Sequence, residues 1–389
     1  MTLDVLLIGP SGHGGEGVYV GALHEHPPEG VAYDVSDDFH RSAQGATCVL
    51  PVEVGLNKLL RPQTYPDMGF RALRLRRSYD VVHAHAHPVW LRGLRGAPLV
   101  MSEGSSAAVY LTDYLGWDEG RMRRAFSRSR RLYRALGVRD RLLALEHAAR
   151  LYVFSEWARQ VNIRWGVAPE KIEVIAPGFD EPPAAARIER ETFTFLFVGS
   201  DFERKGGYDV VDAFHQIAAE LPHARLLIVG SDESKPNPDL LIRSWVGPQR
   251  RAKTSSLLAS MVTAGVAKRL TWVDGPRLQQ VFREADAFVM PTHAEGFGFT
   301  NVEAMSFGLP VITSTVGPAE EIVTADQTGL LVSAGDVEAL ARAMHRLAGS
   351  PDQARSMGAA GRAAFQARFT RQAFRENLLS LYKRVLEAG

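Results

Sequence analysis

Glu295 and Glu303, eight positions apart, bracket a glycine-rich turn, Gly296-Phe297-Gly298. The turn follows an apolar run at 287–290 and precedes a helix expected to begin near Thr300. Glycines there let backbone N–H groups crowd a ligand, and a helix start adds orphan donors and the positive end of the dipole. That combination is an anion seat, and a diphosphate suits it. Carboxylates accept hydrogen bonds from vicinal hydroxyls. An acid on each side of the seat therefore suits a ligand with a diol at both ends of a diphosphate, which describes a nucleotide sugar. Thr300 and Glu303 also have the spacing of a capping box, which would give Glu303 a structural task instead. A second stretch has the same logic. A strand ends at Gly199, a helix is expected from near Gly207, and Arg204 and Lys205 lie between them. Cations there would clamp a diphosphate and neutralise charge on a leaving group. The plain alternative is a solvated surface turn.

The N-terminal half carries weaker signals. The run Gly12–Gly17 (GHGGEG) follows the first apolar run but is not a clean G-x-G-x-x-G, and Asp34 follows no clear strand, so a dinucleotide fingerprint is discounted. His83, His85 and His87 alternate, and period two puts them on one face. No carboxylate stands at ligand spacing for a metal, which favours packing. No Asp-x-Asp occurs anywhere, which argues against a metal-bridged diphosphate. Glu103, in Met101-Ser102-Glu103-Gly104-Ser105, follows another apolar run, where a carboxylate could accept from a sugar, take a proton from an acceptor, or be an ordinary solvated loop acid. Residues 119–150 hold ten Arg and three acids. Within them, 121–136 has an apolar stripe between arginines, which fits either an anionic lipid surface or an ordinary solvated helix.

Strand-length apolar runs position these residues. They fall at 5–8, 81–83, 99–101, 151–154 and 171–175, then at 193–198, 225–229, 270–273, 287–290 and 310–313. Helix-period segments such as 208–220 and 337–347 separate them. That alternation predicts parallel sheets covered on both faces, with ligands beyond the carboxyl ends of the strands. A Pro- and Ala-rich polar stretch near 177–191 reads as a linker. Two doubly wound α/β domains facing a cleft are expected, followed by a terminal amphipathic helix. The 389 residues allow two to three domains, and 45 basic against 44 acidic residues exclude a globally nucleic-acid-binding charge. Cys48 is the only cysteine, so neither an intramolecular disulfide nor a cysteine zinc site can form, which fits a reducing compartment. The first residues read as a strand and not a signal peptide, and no run reaches the roughly 18 apolar residues of a membrane span. A cytoplasmic protein, at most peripheral to a membrane through 121–136, is the expectation.

Taken together, Glu295-Gly-Phe-Gly-Phe-Thr-Asn-Val-Glu303, the following Ala-Met-Ser-Phe-Gly-Leu-Pro-Val-Ile-Thr, then Gly317-Pro-Ala-Glu-Glu321-Ile-Val and Thr328-Gly-Leu-Leu-Val resemble the retaining glycosyltransferases of the GT-B fold, family 4. The resemblance covers nearly the whole chain and is most specific in the C-terminal half. It implies a Rossmann-like acceptor-binding domain at 1–178, a Rossmann-like nucleotide-sugar domain at 179–365, and a helix within 366–389 that crosses back to the first. It further implies that Glu295 touches hydroxyls of the donor sugar, Glu303 holds the ribose, and Lys205 holds the diphosphate with help from Gly296, Phe297, Gly298 and amides near Phe299 and Thr300. Gly14 and Gly15 would close over the donor from the other domain. The family's usual Arg after the first Gly is Ser200 here, so Arg204 is expected to replace it, and Glu103 stands where the family often has a His. Glu295, Glu103 and Lys205 are the catalytic candidates.

The implied activity is retaining transfer of a hexose-type sugar from a nucleotide donor, a UDP-sugar favoured, to an acceptor hydroxyl in glycoconjugate or polysaccharide synthesis. The acceptor would be a carbohydrate, a lipid-linked compound or a small molecule, with no metal, no cofactor and no nucleic acid required. The alternatives are a sugar-nucleotide epimerase of the same architecture, a phosphorylase, or a sugar-nucleotide-binding protein without turnover. A hydride-transferring dehydrogenase is more distant.

Overall fold

A computed structural model describes residues 2–9, 15–36, 46–48, 71–75, 77–85, 89–90, 96–104, 106–124, 127, 145, 148–183, 190–230, 243–271, 273 and 275–388. The chain divides into two compact units, 1–178 with 371–389, and 179–370.

The first unit is built on a parallel sheet of order β2-β1-β5-β7-β8-β9. Its strands are β1 (Leu3–Ile8), β2 (Val31–Ser36), β5 (Val81–His85), β7 (Leu99–Glu103), β8 (Arg150–Val153) and β9 (Ile172–Val174). A small second sheet holds β3 (Ala46–Cys48), β4 (Arg71–Leu75) and β6 (Val89–Trp90). Helix α1 (Gly15–Glu25) follows β1, and α2 (Glu156–Arg164) follows β8, capped by Ser155, whose hydroxyl accepts from the amide of Ala158 at 3.1 Å. Every residue of β5 and β7 is buried, as expected of central parallel strands covered on both faces. Leu6, Ile8, Val82, Ala84, Met101, Leu151 and Val153 form the heart of the core.

The second unit has the sheet order β12-β11-β10-β13-β14-β15. Its strands are β10 (Phe193–Gly199), β11 (Ala224–Gly230), β12 (Ala267–Leu270), β13 (Ala287–Met290), β14 (Val311–Ser314) and β15 (Gly329–Val332), all parallel. Its longer helices are α3 (Gly207–Ala218), α4 (Pro248–Thr263), α5 (Gly275–Glu284), α6 (Phe299–Ser306), α7 (Val337–Gly349) and α8 (Pro351–Arg368), with one short turn of helix at Ala319–Ile322. From the first strand, β10, the chain winds outward to β11 and β12, then returns to add β13, β14 and β15 on the other side. Order reverses between β10 and β13, and ligands of doubly wound sheets bind at such a switch point. The loops leaving these two strands are 200–206 and 291–298.

Helix α9 (Arg371–Glu387) belongs to the first unit and buries Phe374, Leu378, Leu381, Tyr382 and Val385. Residues 366–370 stay with the second unit, because Phe365 and Phe369 are buried there and Phe369 accepts from the amide of Phe179 at 2.9 Å. The Pro-rich stretch is therefore anchored at its start: Phe179 also bridges Thr370, and Glu181 accepts from Arg362 at 3.1 Å. Residues 184–189 lie outside the described residues.

Three strand expectations are corrected. The run at 270–273 is not the strand; β12 lies at 267–270, paired Leu226 to Ala267 through Val229 to Leu270. It is a sheet edge, and Lys268 and Arg269 break the apolar run that marks an inner strand. Asp34, expected to follow no strand, lies within β2, an edge strand in register with β1. Its carboxylate accepts from the Tyr79 hydroxyl at 2.6 Å, a structural task. The last edge strand, β15, was read only as a motif.

Candidate functional site

The loops at the switch point of the second unit hold the strongest candidates. After Gly199 the chain makes a turn that ends at Gly206, whose φ of 81° starts α3. A side chain at Gly206 would place its Cβ 2.3 Å from the Pro291 carbonyl oxygen, so glycine is required for the two loops to approach. The approach is laced by backbone and side chain. The Arg204 carbonyl accepts from the amide of His293 at 2.7 Å and from the Thr292 hydroxyl at 3.1 Å. Arg204 Nη1 donates to the Ala294 carbonyl at 2.8 Å.

Arg204, Lys205 and Glu295 converge there. Lys205 Nζ donates to Glu295 Oε2, and Arg204 Nη1 lies 3.8 Å from the same oxygen. Arg204 Nε pairs with Asp201 at 3.1 Å. The amide of Gly296 donates to Glu295 Oε1 at 3.2 Å. The Arg204 and Lys205 side chains are each 12% exposed, which rules out the solvated surface turn. Burial works against the Glu295 charge, but the Lys205 and Arg204 cations outweigh it and hold the carboxyl below the usual range. Gly317 closes the far side: its φ is 60°, and a Cβ there would sit 2.4 Å from the Glu295 carbonyl oxygen.

The turn then feeds α6. Gly298 caps it at φ 94°, with no side-chain cap bond. The capping-box reading of Thr300 and Glu303 is thereby corrected. Glycine in the left-handed region starts the helix at Phe299, one residue before Thr300, and the Thr300 hydroxyl turns to Met290 Sδ at 3.0 Å. The first-turn amides of a helix have no intrahelical partner, so the α6 start offers donors beside Lys205 and Arg204. Phe297 is buried against Phe299 and Phe369, fixing the turn to the unit's core. Glu303, released from capping, is pushed up to about 7 by burial, and among the described residues no cation pairs with it.

The first-unit candidates fall differently. Gly14 lies outside the described residues, and Gly15 opens α1. Glu103 is the last residue of β7 and is buried. His83 and His85 share a face of β5, as period two requires, and both reach Ser102 Oγ, at 2.7 and 2.8 Å. His83 Nδ1 meets the Tyr382 hydroxyl at 2.7 Å, which in turn meets that of Tyr33 at 3.0 Å. Tyr152 and Tyr19 complete a buried polar network through linked hydroxyls. Burial, with His85 nearby, lowers His83 to about 3, so its ring is neutral. His87 lies outside the described residues, as does most of 121–136. In the described part of that segment Met122 is fully buried, and Arg121 and Arg123 lie over the rings of Trp117 and Trp165. Among the described residues no helix is long and apolar enough to cross a membrane.

Sequence reasoning missed Asp201, Asp209 and His293, and carried Gly317 only within a family motif. Gly317 had a readable signal of its own, a glycine just past the carboxyl end of a strand, in a loop at the ligand end of the sheet.

Comparison with known proteins follows the same division of the chain. The model of glycosyltransferase family 4 matches residues 21–181, and that of glycosyl transferases group 1 matches residues 179–364. The chain is 29% identical over 357 residues to D-inositol 3-phosphate glycosyltransferase 1 of Catenulispora acidiphila, covering 84% of this chain and 78% of that one. It is 30% identical over 234 residues to D-inositol 3-phosphate glycosyltransferase of Segniliparus rotundus, covering 57% of this chain. That match spans 49% of the Segniliparus protein, about half its length. Among solved structures, sucrose-phosphate synthase from Thermosynechococcus elongatus superposes with a TM-score of 0.67 at 22% identity, over 100% of both chains. Anabaena Alr3699/HepE in complex with UDP-glucose gives 0.65 at 17% identity, over 98% of this chain and 100% of that one. At these identities the structures establish a common fold.

Proposed function

Since this chain belongs to the glycosyl transferases of group 1 and family 4 and has their GT-B fold, we propose that it transfers a hexose-type sugar from a nucleotide diphosphate donor, with UDP favoured, to an acceptor hydroxyl with retention at the anomeric carbon. The observation that carries the reading is the meeting of Arg204, Lys205 and Glu295 at the start of α6, on the switch point of the second sheet. A cation pair beside a helix start suits a diphosphate. In this structure Glu295 occupies Lys205. A bound diphosphate would take over that cation and free the Glu295 carboxylate to accept from hydroxyls of the donor sugar. Glu303, on the same helix and without a cation among the described residues, is then suited to the ribose diol.

The chemistry asked of the protein is electrostatic. As the C1–oxygen bond to the diphosphate breaks, the electron pair leaves with the phosphate, where Lys205, Arg204 and the α6 amides stabilise it. The acceptor oxygen bonds to C1, and its proton passes to the departing phosphate oxygen on the same face. No step requires a metal or a cofactor. In the first unit, Glu103 is assigned to hydroxyls of the acceptor, and Gly14 and Gly15 to the donor. The named relatives act on D-inositol 3-phosphate, and another, 27% identical over 201 residues, is a capsular polysaccharide biosynthesis glycosyltransferase of Staphylococcus aureus. They support a polyol or glycan acceptor for glycoconjugate or polysaccharide synthesis. The test is titration of UDP-, GDP- and ADP-sugars into the wild type, Lys205→Ala and Glu303→Ala. One donor class should bind the wild type, and both variants should bind it at least about tenfold more weakly. Wild-type affinity in both variants would remove the assignment.

A further inference from the structure

The polar residues behind the diphosphate loops have no task in that reading. Asp209 lies in the first turn of α3 and is 1% exposed. Arg250 Nη2 donates to its Oδ1 at 2.6 Å, and Arg250 Nε donates to Asp212 at 2.8 Å, so α4 holds this side of the carboxylate. The other oxygen, Oδ2, faces His293 Nε2 at 2.9 Å. Neither atom has another polar partner among the described residues, so this contact is what holds the edge of the ring. A buried carboxylate oxygen stripped of it would be left unmet, which is costly.

The surroundings give this contact a task. His293 stands two residues before Glu295, and its amide donates to the carbonyl of Arg204 at 2.7 Å. Its ring stacks on Trp245, with centroids 5.9 Å apart and planes within 20°. Trp245 is itself fixed by Glu203, two residues before Lys205, which accepts from the amides of Trp245 and Val246 at 2.6 and 2.9 Å. One imidazole is thus held in plane by Trp245, at its edge by Asp209 and at its backbone by Arg204, and it adjoins both loops of the candidate site.

We propose that His293, held by Asp209, is a positioning residue for the donor diphosphate. It sets the backbone of residues 292–295 against the Arg204 carbonyl, so that Arg204, Lys205 and Glu295 are aligned for one ligand. The ligand named here rests on the nucleotide-sugar reading; the positioning does not. The test uses the full chain as wild type, His293→Ala, His293→Gln and Asp209→Asn. Hydrogen exchange of the amides at 291–298 is measured without ligand, and UDP, GDP and ADP are titrated calorimetrically. His293→Ala and Asp209→Asn should speed exchange in 291–298 while leaving β10 and β13 protected. They should weaken the preferred nucleotide about tenfold, the scale of a displaced binding loop. In His293→Gln the amide nitrogen stands near the place of Nε2, and affinity should return to within about threefold of wild type. Unchanged exchange in His293→Ala, or equal impairment of His293→Ala and His293→Gln, overturns the proposal. If Asp209→Asn loses protection throughout the sheet, the two histidine variants decide. If the wild type binds none of the three nucleotides, the donor reading fails, and the exchange result still decides the positioning role.

Discussion

Glu303→Gln separates a ligand from a cap. Burial raises the Glu303 carboxyl from an ordinary value of 4.5 to about 7. The folded chain therefore holds a proton there that the unfolded chain has already lost between those values. Stability must fall as pH rises from 4.5 to 7 and level off above, because ionising the half-buried acid favours the unfolded state. Linkage with these two values gives a change of about 2.5 kcal/mol between pH 5 and pH 8. Glutamine keeps the shape and does not titrate. The difference in unfolding free energy between wild type and Glu303→Gln, from urea titrations at pH 5, 6, 7 and 8, should move by that amount in favour of the variant. Contributions from all other groups cancel in the difference. A donor ribose that donates to the ionised carboxylate would favour that form, so wild-type donor affinity should rise between pH 6 and 8. The variant should bind weakly and without that dependence. A pH-independent stability difference would refute the half-buried acid without a cation among the described residues, and a matching donor affinity in the variant would refute its contact with the ribose.

Lys205→Ala leaves Glu295 buried with only Arg204 at 3.8 Å, and loss of one partner from such a pair should cost about 3–5 kcal/mol in denaturant unfolding. Gly206→Ala should lower the melting temperature and abolish nucleotide binding, since its Cβ would meet the Pro291 carbonyl in a left-handed conformation that alone costs about 1–2 kcal/mol. Tyr382→Phe removes the hydroxyl at His83 Nδ1 and should destabilise the chain by about 1–3 kcal/mol in the same unfolding assay. The His83 imidazole is held near 3 in the fold and titrates at 6.5 when unfolded, so its share of stability should be lost as pH falls through 6.5 toward 3. Replacing His83 by Asn should flatten that acid limb, as read from unfolding at pH 4, 5 and 7.

The inner strands were legible because burial on both faces leaves a continuous apolar run, as in Val5–Ile8 and Ala287–Met290. The edges were less so: β9 was legible within 171–175, but β2 contains Asp34, β12 contains Lys268 and Arg269, and solvent on one side weakens the signal. The site was legible at Gly296, Gly298 and Glu295 because strand, glycine turn and helix follow one another in sequence. The partners of Glu295 lie 90 residues away, and only the pairing of β10 with β13 brings them together. Glu303 remained open between cap and ligand, since the spacing allows both. The left-handed Gly298 decides against the cap, and that is a backbone angle no residue count reveals. His293 and Asp209 were invisible for the same reason as Lys205 and Glu295: 84 residues of chain separate two atoms 2.9 Å apart.

The central claim is that the crevice between β10 and β13 grips a diphosphate joined to a sugar and a ribose. Crystals of the full chain grown with the UDP-, GDP- or ADP-sugar that most raises its melting temperature test it directly. The account predicts the diphosphate between Lys205, Arg204 and the first turn of α6, with the ribose hydroxyls on Glu303 and Glu295 turned from Lys205 to the sugar. A diphosphate bound elsewhere, or a chain whose melting temperature no activated sugar shifts, would contradict it.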